Sequence, residues 1–512
     1  MNTTPAWTTA HWRGDVLALF AGLALPFAFS PYFFWPASVL SLSVLFCVWC
    51  GASWRRAAWR GWLHGLGAFG AGVSWIVHSF QFSHIALPIA VLLTVGFVGF
   101  LALYPALVGA VVAALQSRVR RVIVLCCVCP GAWMLGEWLR GWFLSGFTWL
   151  QIGYAQIDGP LADVLPLGGV YGTGLAVALF AAAFALLCVR FTWASGAVLA
   201  GVTAALVLIV LLGARFGAQS GESAEPLRVA LMQGNVPQEL KWRPEMRQPT
   251  LQRYMAMTSR HLGTDLMIWP ETAVPAQRAK MSEFIEQLHD MARAAGSAVM
   301  FGIPETEGAP SQVFNTVEMV GTARGLYRKR HLVPFGEFLP FDAILRPITQ
   351  LLRIPVSNFS SGAAVQPPMI VNGHRLAVFI CYEIVFGNEV IAALPEAAML
   401  VTVSNDAWFG DSIGPHQHLQ MVRTRARETN RDVLRATNTG ITAIIDANGA
   451  VQARLPQFEV GALAGLATPR AGATPYVRFG DGPALMCCVV LLLVGVVAGF
   501  RRKPVNESVS AR

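Results

Sequence analysis

Seven apolar stretches crowd the first 213 residues, and an eighth lies near the end of the sequence. A helix that crosses a bilayer needs about 20 mainly apolar residues. The segments 15–32, 35–53, 61–80, 86–115, 122–141, 165–189, 194–213 and 483–500 all read as such helices. Inside lipid a single segment must satisfy its own backbone hydrogen bonds, so these stretches can only be helical. Pro26 predicts a kink in the first span, and the fourth is long enough to tilt. No small-residue cleavage site separates the first two spans, which argues against a removable leader.

The charge lies elsewhere. Hydrophobic residues make up 54% of the chain and charged residues only 13%, about half the usual share in a soluble protein. Most of the Asp, Glu, Lys and Arg fall between 214 and 480. The reading is a membrane domain of seven spans (1–213), a water-facing domain (214–482), an eighth span (483–500) and a tail (501–512). Arg13, Arg55, Arg56, Arg60, Arg118, Arg120, Arg121, Arg190, Arg501, Arg502 and Lys503 fall on one side of the alternating spans; the short loops on the other side hold only Arg140. Arginine bias of this kind puts both termini in the cytoplasm and residues 214–482 outside it, although Arg215 and Arg478 at the junctions fit less cleanly. The net charge of +9 does not predict nucleic-acid binding, because the arginines cluster between spans rather than along one face of a soluble element.

The water-facing segment alternates short apolar runs with helix-like stretches. LRVALMQGNV (227–236), DLMIWPE (265–271), AVMFGIPE (298–305), RLAVFICYE (375–383), AAMLVTVSND (397–406) and VLRATNTGITAIID (433–446) read as strands ending in polar or turn residues. Residues 248–263, 281–295 and 415–431 read as helices between them. Strands followed by helices predict an α/β layered domain. Chemistry in such domains gathers at the carboxyl ends of strands, and Glu271 and Cys381 both stand there.

Eight of the nine cysteines (Cys47, Cys50, Cys126, Cys127, Cys129, Cys188, Cys487 and Cys488) fall in the spans, where they read as small apolar fillers. Their spacing does not suit a zinc site, and no metal or cofactor is expected. Cys381 is alone in the outer domain. A buried strand cysteine and a nucleophile at a strand end are both consistent with that placement. A thiol with its free pKa of about 8.5 needs a base or a cation to react at neutral pH. His331, His374, His416 and His418 lie in loop-like or helix-like contexts that do not single one out. A carboxylate and a lysine would serve together: Glu271 in MIWPETAVP and Lys329 in LYRKRHLVPFGEFLP.

These three residues resemble the Glu–Lys–Cys triad of the nitrilase superfamily, whose fold is an αββα sandwich. QGNVPQELKW (233–242), WPETAVP (269–275), YRKRHLVPFGEFLP (327–340), CYEIVFG (381–387) and SNDAWFG (404–410), with FTWLQIGYAQ (147–156) in an outer loop, are similar in order to the apolipoprotein N-acyltransferase family, the membrane-bound branch of that superfamily. The resemblance implies a polytopic membrane domain of eight spans with an α/β nitrilase-like domain in the periplasm, at the inner membrane of a bacterium. It implies transfer of an acyl chain from a phospholipid to the α-amino group of a lipoprotein's diacylglyceryl-cysteine, by a monomer without cofactor. Cys381 would be the nucleophile, Glu271 the acid and base, and Lys329 the oxyanion partner. Glu337 and Glu383 match acids that would hold Lys329 and Glu271. For Glu383 the stabilisation of a helix start is the other reading.

Tyr382 and Trp242 match family positions near the site, with core packing as the alternative. Trp408 and Phe409 are candidates for lipid contact, and Asn405 and Asp406 read as turn formers. Residues 335–360 would form an apolar arm reaching the interface, or else an ordinary buried helix. Glu137 inside the fifth span reads as a functional intramembrane acid or, more simply, as the ion-pair partner of Arg140 on one helical face. His64 and His78 read equally as packed polar residues or as headgroup contacts. A membrane-tethered amidase shares the triad, and an inert scaffold or transporter is the remaining alternative.

Overall fold

The computed structural model describes residues 11–82, 85–116, 118–219, 223–308, 311–351 and 357–500. The tail at 501–512 and residues 352–356 of the expected arm lie outside the described residues. Among the described residues five helices are long and apolar enough to cross a membrane: Leu87–Gln116, Arg121–Ser145, Ala162–Val189, Trp193–Phe216 and Gly482–Phe500. The first three expected spans are helical but fall short of that standard. His11–Ala24 and Pro36–Trp49 have 14 residues each. Trp54–Gly72 has 19 but carries Arg55, Arg56, Arg60 and His64. Asp15 answers two of those charges, at 2.6 Å from Arg56 and 3.1 Å from Arg60. Pro26 does redirect the chain, into a short 3-10 turn over Leu25–Ala28.

The water-facing part contains twelve strands among the described residues. The first group is β1 (Leu227–Gln233), β2 (Leu266–Ile268), β3 (Ala298–Glu307), β4 (Gln312–Gly321) and β5 (Gly325–Arg328). The second is β6 (Met369–Val371), β7 (His374–Ile380), β8 (Met399–Ser404), β9 (Val433–Thr437), β10 (Ala443–Ile445), β11 (Val451–Arg454) and β12 (Gly461–Ala467). They form two six-stranded sheets, ordered β12-β1-β2-β3-β4-β5 and β11-β10-β9-β8-β7-β6. The centre of each sheet is parallel: β1, β2 and β3 in one, β7, β8 and β9 in the other.

Alternation along the strands divides the apolar side chains between two layers. Val229, Leu231, Ile268, Met300 and Val317 from one sheet meet Val378, Ile380, Val401, Val403 and Leu434 from the other in a single buried core. Burying a side chain of this size is worth about 1.5–3 kcal/mol. On the outer face of the first sheet, Met232, Met267, Trp269 and Phe301 pack under the helices Pro244–Ser259 and Ser282–Ala294. On the outer face of the second, Phe379, Leu400 and Ile445 join Leu419, Val422 and Ala426 of the helix Gly414–Thr429. That cluster runs on without a break into the core of the apolar helices. The result is an αββα sandwich whose second helical layer is shared with the membrane part.

Polar ties lock the seam. Arg425 pairs with Glu428 at 2.6 Å and donates to the Tyr154 hydroxyl at 2.8 Å. Glu428 Oε1 accepts from the Val170 N–H at 2.7 Å, and Tyr154 donates to the Val385 carbonyl at 3.0 Å. Val385 closes the short turn that begins at Cys381, so this seam bears directly on the site.

Candidate active site

Both sheets deliver side chains to one place, at the carboxyl ends of β2, β5 and β7. Glu271 follows β2, Lys329 follows β5, and Cys381 follows β7. Glu271 and Lys329 are buried, and Cys381 is half-buried. Lys329 Nζ lies 3.9 Å from Glu271 Oε1 and donates to Glu337 at 2.8 Å. The thiol is within electrostatic reach of both Glu271 and Lys329. The three residues read from the sequence as a triad are therefore gathered together, with Glu337 beside them.

Each carboxylate oxygen of Glu271 has its own anchor. Oε1 accepts from Asn315 Nδ2 at 2.7 Å, and Oε2 accepts from the Asn405 N–H at 2.8 Å. Asn315 also reaches Glu337 Oε1 at 3.2 Å, and its carbonyl accepts from the Lys329 N–H at 2.9 Å. One amide on β4 thus ties the two acids to the lysine. Glu337 Oε2 accepts from the Val333 N–H at 2.8 Å, which folds the loop after Lys329 back over the site.

The charge states follow from this packing. Burial works to lower the Lys329 pKa, but Glu337, Glu271 and Cys381 together hold it well above its ordinary value. It stays an ammonium. Burial, and after it Glu271, push the Cys381 thiol up, while Lys329 pulls the other way and does not prevail. The resting sulfur is a protonated thiol, so reaction requires a base in contact with it. Lys241, buried behind the site, donates to the Glu271 carbonyl at 3.2 Å. Burial lowers its pKa to about 8 against the opposing pull of Glu271.

Cys381 takes a positive φ of 54°, a conformation costly for any residue with a Cβ. Glu383 holds the turn in that shape. Its carboxylate accepts from the Ile380 N–H at 2.6 Å, the Arg330 N–H at 2.6 Å and the Tyr327 hydroxyl at 3.0 Å. The helix-start reading and the supporting reading of Glu383 are one arrangement, which fixes the segment after Lys329 rather than Glu271. Burial raises the Glu383 pKa, and the N–H groups of Ile380 and Arg330 work against that rise.

The aromatic candidates separate. Tyr382 donates to the Gly146 carbonyl at 2.7 Å and stacks on Trp149 at 5.9 Å. Phe409 is buried edge-on against Trp75 at 4.7 Å. Trp408 is 38% exposed, and its carbonyl accepts from Ser79 at 2.9 Å. Trp242 is 53% exposed, at the end of the short helix Gln238–Lys241. Asp406 is no simple turn former. It is buried, pairs with Arg435, accepts from Ser404 at 2.6 Å and meets His418 Nδ1 at 3.2 Å.

In the membrane part, Glu137 accepts from Trp133 at 3.0 Å. Arg140 instead donates to the Phe147 and Trp149 carbonyls, at 2.7 and 2.6 Å. His64 Nε2 lies 2.9 Å from Ser41. Among the described residues no group of three or more His, Cys, Asp or Glu could hold a metal ion.

Two six-stranded sheets packed face to face, with a carboxylate, an ammonium and a thiol gathered at strand ends, mark the carbon-nitrogen hydrolase fold. Residues 228–476 match the carbon-nitrogen hydrolase family, and residues 21–183 match the apolipoprotein N-acyltransferase N-terminal domain. The apolipoprotein N-acyltransferase of Methylococcus capsulatus is 45% identical over 96% of this chain and 97% of its own. Those of Vibrio cholerae and Pseudomonas aeruginosa are 40% and 38% identical, each over 94% of this chain and 95% of theirs. The chain belongs to the apolipoprotein N-acyltransferase family.

Proposed function

We propose that the chain N-acylates lipoproteins through a thioester on Cys381, drawing the acyl group from a phospholipid. The observation that carries this reading is the meeting of Glu271, Lys329 and a protonated Cys381 at one set of strand ends. The activity itself is that of the family, an acyltransferase acting on lipid and lipoprotein.

Glu271 takes the thiol proton as sulfur attacks the ester carbonyl. It then gives that proton to the departing lysophospholipid oxygen, leaving the acyl chain on sulfur. In the second half the lipoprotein's α-amino group attacks the thioester; Glu271 takes a proton from nitrogen and returns one to the thiolate. The Lys329 ammonium, with the Tyr382 N–H, faces the tetrahedral oxyanion in both halves, and the loss of one such donor costs about 2.7–4 kcal/mol of barrier. Two half-reactions sharing one enzyme-bound acyl group predict ping-pong kinetics. Glu337, Glu383 and Tyr382 support the triad. Trp242 and Trp408 stand exposed where an acyl or peptide chain could lie against them, whereas the burial of Phe409 supports a packing part for it.

Each acyl CH₂ favours lipid by about 0.8 kcal/mol, so the acyl chains stay at the bilayer. The site therefore opens towards the membrane, with eight spans beneath it and the arm at 335–360 at the interface. Phe335, Phe341 and Ile344 are exposed along that arm, which supports this placement. The domain limits are 1–213, 214–482, 483–500 and 501–512. Both termini lie in the cytoplasm of a bacterium, the catalytic domain lies in the periplasm at the inner membrane, and the chain acts as a monomer. Exposure to phospholipid alone, followed by mass spectrometry, tests the reading: an acyl group on Cys381 supports it, and turnover of small amides with no acyl-enzyme contradicts it.

A further inference from the structure

His331 lies two residues past Lys329, and both of its ring nitrogens face acceptors. Nδ1 is 2.6 Å from Glu389 Oε1, and Nε2 is 2.9 Å from the Ser145 carbonyl. A carbonyl can only accept, so Nε2 carries a hydrogen. At 2.6 Å the Nδ1–Oε1 contact must also hold a proton, because two lone pairs would repel there. The pair therefore keeps one proton on Nε2 and a second shared between Nδ1 and Glu389. Glu389 Oε2 is buried and makes no hydrogen bond among the described residues, so the shared proton is its carboxylate's direct partner.

The Ser145 carbonyl belongs to an unusual loop. Leu144, Ser145 and Gly146 all take positive φ, at 54°, 73° and 77°. A Cβ at Gly146 would collide with the Gly141 carbonyl and come within 3.0 Å of the Phe386 ring. The strained loop turns two successive carbonyls towards the catalytic domain: Ser145 to His331, and Gly146 to the Tyr382 hydroxyl. The imidazole is stacked on Phe386 at 3.8 Å, and the backbone N–H of His331 donates to Glu383 Oε1 at 3.2 Å.

We propose that His331 is a positioning residue for acyl transfer, a proton-dependent clasp that fastens the membrane-side loop 143–147 to the turn carrying Cys381. It rests on the assignment of Cys381 as nucleophile. Losing the shared proton sets a lone pair against the Glu389 carboxylate. The ring must then give up either Glu389 or Ser145, and Tyr382 loses the firm backing of its loop. The charged and titratable groups around the ring are Glu389 on the helix Gly387–Ile391, Tyr382 and Glu383 on the catalytic turn, Lys329 and Arg330 on its own segment, and Arg140 behind the loop. Activity that depends on the clasp falls as pH rises.

The test uses the full-length enzyme in mixed micelles of detergent and phospholipid, with a diacylglyceryl lipopeptide as acceptor. H331A, E389Q, C381S and the unaltered enzyme are compared across a pH series from about 5 to about 8. H331A is expected to lower kcat about tenfold or more at the acid end while changing KM much less, since small misplacements at a reacting centre cost up to about a hundredfold. The ratio of unaltered to H331A rates then shrinks as pH rises. In E389Q the amide donates to a neutral Nδ1 without a shared proton, so its ratio to H331A stays level. Unaltered-enzyme rates in H331A, or ratios that run parallel for the unaltered enzyme and E389Q, would overturn the proposal. If H331A fails to fold, E389Q decides by whether its alkaline limb differs from that of the unaltered enzyme. Full transfer by C381S would instead refute the nucleophile assignment, whatever the His331 results.

Discussion

Lys329 and Glu271 stand 3.9 Å apart, Nζ to Oε1, close enough to share an electrostatic field and too far for a hydrogen bond. The ammonium spends its short bond on Glu337 instead. In the proposed mechanism, Glu271 then moves protons while the cation stays in place. Glu337→Gln keeps the shape and removes the charge that holds Lys329. Its kcat for N-acylation should fall by about tenfold to a hundredfold, with little change in KM, measured with a fluorescent phospholipid donor.

The raised thiol predicts a sluggish cysteine. Its folded value lies above that of a free thiol, so the thiolate is scarce at neutral pH and grows only as pH climbs past the ordinary thiol range. Alkylation of Cys381 by iodoacetamide at about pH 7.5 should run slower than that of a free cysteine, with pKa about 8.5. Mass mapping against a peptide thiol in the same tube measures this; alkylation faster than the peptide's would mean a stable thiolate and a different mechanism.

Asn315 offers a prediction that separates geometry from charge. Asn315→Leu leaves the buried Glu271 Oε1 without its donor and takes one of two donors from the partly buried Glu337 Oε1. An unmet buried polar group costs about 1–3 kcal/mol. The variant should unfold at a lower temperature and also lose turnover, whereas Asn315→Asp should fold but lose turnover by adding a third negative charge.

Asp406 predicts an acid limit. Burial alone would raise its pKa, but Arg435, His418 and Ser404 together hold it well below the ordinary carboxylate value. A depressed folded value means that its stabilisation is complete above the unfolded value of about 3.9 and is lost as pH falls below that. Removing one partner of a buried pair costs about 3–5 kcal/mol. Asp406→Asn should lower the unfolding temperature at neutral pH, and the gap to the unaltered protein should narrow as the medium is made acidic.

How far the sequence reaches can be argued strand by strand. β1, β2, β3, β7, β8 and β9 are apolar runs near helix-like stretches, and the ends of β2 and β7 locate Glu271 and Cys381 in the sequence alone. β4 does not read as a strand because Asn315, Thr316 and Glu318 interrupt it; Asn315 faces the site, whereas Thr316 and Glu318 point to the opposite face, where Thr316 donates to the Ile303 carbonyl and Glu318 pairs with Arg278. Asn315 was hidden for the same reason. β12 is built from Gly, Ala and Leu, with little strand preference of its own, and gains its place by pairing along β1. His331 looked like an ordinary loop residue. Its partners lie 58 and 186 positions away, a relation no local pattern can carry. The first three expected spans are legible as helices, but the rule of about 20 apolar residues describes them poorly, since two are short and one carries arginines.

The most direct test is the intact mass of the purified protein after incubation with a single defined phospholipid and no acceptor. The account predicts a rise equal to one acyl group, mapped to Cys381, lost on adding a diacylglyceryl lipopeptide and absent in Glu271→Gln and Cys381→Ser. N-acylation that proceeds with Cys381 replaced, or an acyl group found on another residue and passed to the lipopeptide, would contradict it.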